Sequence, residues 1–303
     1  MMKAEIRENR FMKTIGIDIG GTQLRAAVID ENYNIIETYK TKNDRTVTCE
    51  ENMDKLISFI FSKKEEFKGI GIGCPGPLNL KNGSVIDPPN LIGWDGFEIV
   101  KYVREKTGMR VELNNDANCA GLAEALLGKG KGYESVCFMG LSTGLGGAYV
   151  YQGKLVNGAH GNAAEWWNMM VNDDPYGHKN ANPGSLNEQS AGSGLQAAAE
   201  RAYGRAMEPK ELFELYYKND EKAVRVIERG INALARGIAN VTCVIDPDVI
   251  IVGGSIAIYH PLYMKMAIDR SKQYLLAPES LHVEPALFGD DAGLVGAALL
   301  LAD

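Results

Sequence analysis

Thr14-Ile15-Gly16-Ile17-Asp18-Ile19-Gly20-Gly21-Thr22 is the stretch on which the fold reading turns. Thr14 to Ile19 reads as a buried strand, and Gly20-Gly21-Thr22 breaks it. Gln23 to Ile29 is a second strand, Asp30 to Asn34 a polar turn, and Ile35 to Lys40 a third strand. The same order returns at Val136 to Val156. There a strand ending at Leu141 runs into the small-residue loop Ser142-Thr143-Gly144-Leu145-Gly146-Gly147. A hairpin follows, Ala148 to Val150 turning at Gln152-Gly153 into Lys154 to Val156. Short of a chance likeness between hairpins, this is an internal repeat: two lobes, each opening with a hairpin whose turn can hold phosphate. Across a cleft, two such turns would grip a nucleoside triphosphate from both sides.

Outward from the repeat, strands alternate with helices, which makes the chain α/β with mostly parallel pairing after each hairpin. Glu50 to Phe61 is an amphipathic helix with Met53, Leu56, Ile57 and Ile60 on one face, and Gly69 to Cys74 is a buried strand. From Pro75 to Phe97 the chain is loop-like, and a long ordered loop in a compact domain is usually functional. Phe97 to Thr107 forms a helix, Val111 to Leu113 a strand, and Ala120 to Leu127 a helix-forming run. A second irregular region spans 157 to 187. Helices follow at Gly194 to Tyr203, Pro209 to Tyr217 and Glu221 to Val244, then a strand at Val249 to Val252. Asp290-Asp291 caps the last apolar helix, Gly293 to Leu301.

Composition narrows the function classes. The 303 residues are 45% hydrophobic and 23% charged, enough for a large core and for two domains. A net charge of −7 argues against nucleic acid as a partner. The apolar run Gly293 to Ala302 is too short to span a bilayer, and charged residues 1 to 11 lack the apolar core of a signal peptide. Cys49, Cys74, Cys119, Cys137 and Cys243 are widely spaced, as expected of reduced thiols in a cytoplasmic protein rather than of disulfides or a zinc site.

Chemistry concentrates at a few positions. Asp18 ends a strand just before Gly20, Gly21 and Thr22, where glycine lets backbone N–H groups approach an anion and Thr22 adds a hydroxyl. Asp18 is placed to hold magnesium through water; the bland reading is a tight turn. No Gly-Lys-Thr/Ser ending is present, so this is not a Walker loop. Thr143, Gly144 and Gly146 offer a second phosphate turn without dinucleotide-fold spacing. Gly253-Gly254 lets an adenine or ribose lie against the backbone, or serves close helix packing. Asp116 is the candidate base: a sugar hydroxyl attacking a γ-phosphate must lose a proton, and a positioned carboxylate accepts it. Asn115, Asn118 and Asn90 offer donors and acceptors suited to vicinal hydroxyls. The competing role for Asp116 is a helix cap near Asn118.

Together these residues resemble the ROK family of sugar kinases, repressors and related open reading frames. The match runs through Gly16 to Thr22, Cys74-Pro75-Gly76-Pro77, Pro89-Asn90-Leu91 with Gly93-Trp94, Asn115 to Asn118 and Thr143 to Gly147. It continues through Asn157-Gly158, Ala164-Glu165, Asp246-Pro247, Gly253-Gly254 and Asp291-Ala292-Gly293. The resemblance implies a duplicated actin-like, hexokinase-like (ribonuclease H-like) fold, two lobes about an interlobe cleft. The expected lobes are 12–114 with 289–303, and 115–288. It implies ATP with magnesium as donor and a hexose as acceptor, usually at the 6-hydroxyl, with a homodimer as the expected assembly. Asp116 would be the base, Asn90, Asn115 and Glu165 would hold sugar hydroxyls, and Asp18, Gly20, Gly21, Thr22, Thr143 and Gly144 would surround the phosphates.

Two departures stand out. Many relatives carry Gly-His after the Glu and then a Cys-rich run that binds zinc, with that His and the last Glu of the run touching the sugar. Here the first reads Trp167-Asn168, and the second, Asn180 to Asn187, has no cysteine. No structural zinc is therefore expected. Trp166, Trp167, Tyr176 and Asn-rich hydrogen bonding would hold the loop, and Asn168 and Asn187 would read the sugar differently. One Trp stacks on a sugar face or simply packs in the core. Glucose or a similar hexose is the default acceptor; a β-glucoside or N-acetylated amino sugar is the alternative. A sugar-sensing repressor is disfavoured, because residues 1 to 13 cannot supply a helix-turn-helix.

Overall fold

The computed structural model describes residues 12–175 and 181–302. Residues 1–11, with the expectation placed on them, and Tyr176 and His178 lie outside the described residues. Contacts divide the chain into two compact units. One runs to Gly128 and takes in Lys154–Ala163 and the chain from Asp290 onward; the other comprises Lys129–Gly153 and Ala164–Gly289.

In the first unit, β1 (Thr14–Ile19), β2 (Gln23–Ile29) and β3 (Ile35–Lys42) form an antiparallel meander. Helix α1 (Cys49–Ser62) follows, started by a capping box in which Thr48 Oγ1 accepts from Glu51 N and Glu51 Oε2 accepts from Thr48 N. Its buried stripe is the expected one: Met53, Leu56, Ile57 and Ile60. β4 (Ile70–Cys74) is wholly buried. The stretch expected to be loop contains a small hairpin of β5 (Leu78–Asn79) and β6 (Ser84–Val85). Helix α2 (Ile99–Thr107), β7 (Val111–Asn115) and α3 (Asp116–Leu126) complete the run. The helix expected from Ala120 thus begins four residues earlier, immediately after β7. β7 and α3 lie in one unit, so the expected lobe limit at 114 cuts through a strand-to-helix connection.

The second unit repeats this plan. β8 (Ser135–Leu141) and β9 (Leu145–Tyr151) are antiparallel, and Gln152-Gly153 turns the chain into the two-residue β10 (Lys154–Leu155). The loop expected over Ser142–Gly147 is shorter than it reads: Gly146 and Gly147 are strand residues, paired with Gly140 and Met139. Helices α4 (Leu186–Ser190), α5 (Gly192–Tyr203), α6 (Pro209–Tyr217) and α7 (Glu221–Ile245) follow. α7 starts at the Asp220 cap and buries Ile227, Ile231, Leu234 and Ile238. β11 (Val249–Gly253), α8 (Ser255–Tyr259), α9 (Pro261–Ser271) and β12 (Val283–Pro285) finish the unit.

Helix α10 (Ala292–Leu299) returns to the first unit. Asp291 occupies its N-cap position but makes no side-chain cap bond, so the expected Asp290-Asp291 cap is not formed. The first sheet orders as β3-β2-β1-β4-β7, and the second runs β10-β9-β8-β11-β12. In each, an antiparallel hairpin is extended by two parallel strands on its first member's side. The repeat read from two glycine turns is therefore a repeat of whole-sheet topology. Among the described residues no helix is long and apolar enough to cross a membrane.

Candidate active site

The first cluster forms where parallel strands of the first unit end. Register aligns Asp18 of β1 with Gly73 of β4, and Gly73 with Asn114 of β7. Neighbouring strands are about 4.8 Å apart, so Asp18 and Asn114 stand roughly 10 Å apart along one sheet edge. In open α/β sheets that edge, the carboxyl ends of the strands, is where ligands bind.

The cap role that the sequence left open for Asp116 falls to Asn115. Asn115 is the N-cap of α3: its Oδ1 accepts from Ala117 N at 2.9 Å and Asn118 N at 3.3 Å. Asp116 is the first residue of the helix, with Oδ1 also accepting from Ala117 N at 2.8 Å. Capping falls to a neighbour, and the Asp116 carboxylate stands at the strand–helix junction. Asn118 is not a hydroxyl binder: it is buried, and its Nδ2 donates to Asn114 Oδ1 at 2.9 Å. Asn114 in turn donates to Asn157 Oδ1 at 3.0 Å, so these amides brace the junction from inside.

The buried thiols register the same convergence. Burial first, then the charge of Asp116, then that of Asp18, holds Cys74 and Cys119 well above the usual thiol range. The thiols are accordingly unreactive core groups.

Gly20, Gly21 and Thr22 form the turn between β1 and β2. Gly20 N donates to Gln23 O at 2.8 Å, so this amide closes the turn rather than facing a phosphate. Gly21 and exposed Thr22 stand at its crest. A Cβ on Gly21 would lie 2.7 Å from the Asn90 carbonyl oxygen, which brings the exposed Asn90 against the turn. Asp18 is itself engaged: Arg25 Nε and Nη2 donate to its Oδ2 at 2.9 and 2.6 Å. Its Oδ1 lies beside Gly293, 3.2 Å from where a Cβ would stand. A cluster of this kind suits a hydrated magnesium ion, which keeps most of its waters and takes few carboxylates, better than a direct protein cage. Among the described residues no group of three or more His, Cys, Asp or Glu is arranged to hold a metal.

In the second unit, Ser142, Thr143 and Gly144 form the counterpart turn, with Thr143 and Gly144 exposed. Its carbonyls are held from α5: Gly192 N donates to Ser142 O at 2.9 Å and Ser193 N to Thr143 O at 2.8 Å. Asn187 Oδ1 accepts from Leu145 N at 3.0 Å, and its Nδ2 donates to Glu188 Oε1. Asn187 thus braces the glycine turn, where the sequence reading had it face the sugar. Asn168 is also engaged, its Oδ1 accepting from Asn182 N at 3.0 Å. Gly146 and Gly253 lie in strands, and a Cβ on Gly253 would meet Ala286 at 3.0 Å. Gly254, at φ +87°, comes within 2.4 Å of the Leu141 carbonyl oxygen as measured from its Cβ position. Packing alone accounts for this glycine pair.

Glu165 precedes a short 3-10 turn, Trp166–Asn168, and Trp167 Nε1 donates to Glu165 Oε2. Trp166 Nε1 donates to Phe138 O at 3.1 Å, a core-facing role. The loop that follows is bolted to α7 by an ion pair between Arg229 and Asp174, by Arg229 Nε to Gln189 Oε1 at 2.8 Å and by Arg236 Nη1 to Val171 O at 3.0 Å. Asn172 joins this network through Gln189 Oε1. The sequence reading anticipated the amide bonding and missed the arginines, which come from a distant helix. Arg25 was missed as well, although a hairpin turning at Gly20–Thr22 places residue 25 opposite residue 18.

The model of the ROK family matches residues 14–303. The N-acetyl-D-glucosamine kinase of Histophilus somni (strain 129Pt) is 30% identical over 94% of this chain and 97% of its own. The ROK hexokinase of Thermus thermophilus superposes with a TM-score of 0.89 at 31% identity, covering 95% of this chain and 97% of that one. A Streptomyces griseus ROK glucokinase, solved with glucose and AMPPNP, gives a TM-score of 0.77 at 28% identity over 95% and 98% of the two chains. The two units and their strand-end cluster define an actin-like, hexokinase-like α/β protein of the sugar-phosphotransferase class. The chain belongs to the ROK family.

Proposed function

We propose that this chain is an ATP-dependent sugar kinase that phosphorylates the 6-hydroxyl of glucose or a glucose-like hexose. The observation that carries the reading is Asp116, placed at the carboxyl ends of parallel strands with the capping duty taken by Asn115. In the reaction, Asp116 accepts the hydroxyl proton as the sugar oxygen bonds to the γ-phosphorus and the bond to the ADP oxygen breaks. Gly21, Thr22, Thr143 and Gly144 are assigned to the phosphates, and Asn90, Asn115 and Glu165 to sugar hydroxyls. Magnesium, when bound, would neutralise phosphate charge, with Asp18 holding it through water. A cytoplasmic homodimer completes the proposal; sizing chromatography of the purified protein tests the dimer.

A second acceptor class is favoured by one observation. Asn168 and Asn187 are both turned into backbone bonding, so neither amide substitutes at the sugar edge for the imidazole and carboxylate that the resemblance implies. That change favours tolerance of a larger substituent near the anomeric end, as in an N-acetylated hexosamine or a β-glucoside. A panel of glucose, its epimers, N-acetylated sugars and β-glucosides, read by ADP release with ATP and magnesium, tests both readings. Failure to release ADP above the sugar-free background with every sugar would overturn the kinase assignment, and strict preference for free glucose the second reading. The same preparation should contain no stoichiometric zinc by metal analysis.

Glu165 gives a pH prediction. Although the residue is exposed overall, desolvation at its carboxyl raises it above the usual range of about 4.3, with the Trp167 bond opposing. It accepts sugar hydroxyls most strongly when ionised, so sugar KM should climb as pH falls through the raised value. Glu165→Gln should show a higher KM without that pH dependence. A wild-type KM flat down to about pH 4.3, the ordinary glutamate value, would remove Glu165 from the sugar site.

A further inference from the structure

Arg25 lies directly across the hairpin from Asp18. Its Nε and Nη2 both donate to the same carboxylate oxygen, Oδ2, at 2.9 and 2.6 Å. Nη2 also donates to the Asp290 carbonyl at 2.7 Å, and Nη1 stands 3.9 Å from Asp291 Oδ1. The side chains of Arg25 and Asp18 are only 14% and 18% exposed, so the pair is shielded enough to matter. One guanidinium therefore joins β1, β2 and the turn that leads into α10.

The consequence is an asymmetric carboxylate. Oδ2 is taken by two N–H groups, while Oδ1 lies beside Gly293, 3.2 Å from where a Cβ would stand. We propose that Arg25 is a positioning residue for phosphoryl transfer: it locks the Asp18 carboxylate with Oδ1 alone presented. This rests on the kinase reading, because the group that Oδ1 serves is the metal–nucleotide. Lysine could supply the charge but not the planar fork that fixes the carboxylate.

The alternative is a purely structural ion pair between hairpin and C-terminal turn. Binding of Mn2+–ADP, followed by manganese EPR without sugar, separates the two and does not depend on turnover. Arg25→Gln and Asp18→Asn should each weaken Mn2+–ADP by about tenfold or more, as loss of a group orienting a metal's ligand does. Because Arg25 acts through Asp18, the double variant should bind no worse than Asp18→Asn alone. Arg25→Lys should fall between wild type and Arg25→Gln, and glucose KM should stay unchanged in every folded variant. Losses that multiply in the double variant would overturn the proposal, as would wild-type affinity in Arg25→Gln accompanied only by a lower Tm. Should Arg25→Gln fail to fold, the comparison of Arg25→Lys with the charge-neutral double variant decides on the same criteria. Absence of Mn2+–ADP binding in the wild-type protein would instead refute the kinase reading itself.

Discussion

Asp116→Asn is expected to lower kcat by about 10²-fold or more while sugar binding, followed by intrinsic tryptophan fluorescence, stays close to wild type. The substitution preserves size and removes the proton acceptor. The fold has little reason to object, because the cap of α3 is made by Asn115 and the internal brace by Asn114, Asn118 and Asn157. A loss confined to KM would mean that Asp116 binds the sugar without taking its proton. Near-normal turnover would remove it from the chemistry altogether.

Gly71→Ala is expected to be the most damaging small substitution for folding. A Cβ there would stand 1.7 Å from the Ala297 carbonyl oxygen, where α10 lies on β4. Gly296→Ala meets the same fate against α3, its Cβ 1.7 Å from the Cys119 carbonyl oxygen. Backbone atoms on helices packed from both sides cannot swing aside as a side chain would. Overpacking costs typically 1–3 kcal/mol, and with no rotamer to relieve it we expect about 3 kcal/mol or more, a large share of a typical 5–15 kcal/mol stability. The urea midpoint of purified protein measures this, with poor soluble yield as the coarse sign. A midpoint equal to wild type would mean that α10 does not approach β4 so closely. The result bears on function, since α10 also carries Gly293 beside Asp18.

Local chemistry wrote much of this into the sequence. The limits of β1, β2 and α6 agree with the apolar runs and their glycine, proline and asparagine breaks, because those signals act within a few residues. The buried stripe of α1 follows from spacing alone, and the doubling of the fold was visible in two glycine-broken strand pairs. Glycine-rich strands were harder. Gly146 and Gly147 carry no side chain to show a two-residue period, so only pairing with Gly140 and Met139 reveals them as strand. At the candidate site, residue types singled out Asp116 and Asp18 as candidates, but a carboxylate, a cap and a brace look alike until their partners are known. Tertiary structure gave the cap to Asn115, turned Asn118 inward and tied Asn187 to the glycine turn. It also brought Arg25 to the carbonyl of Asp290, 265 residues away in the chain, to hold Asp18 from the side. Sequence period and turn chemistry report what a residue meets within its own turn or strand; which of several similar amides and carboxylates is left for chemistry depends on hydrogen bonds closed by distant segments.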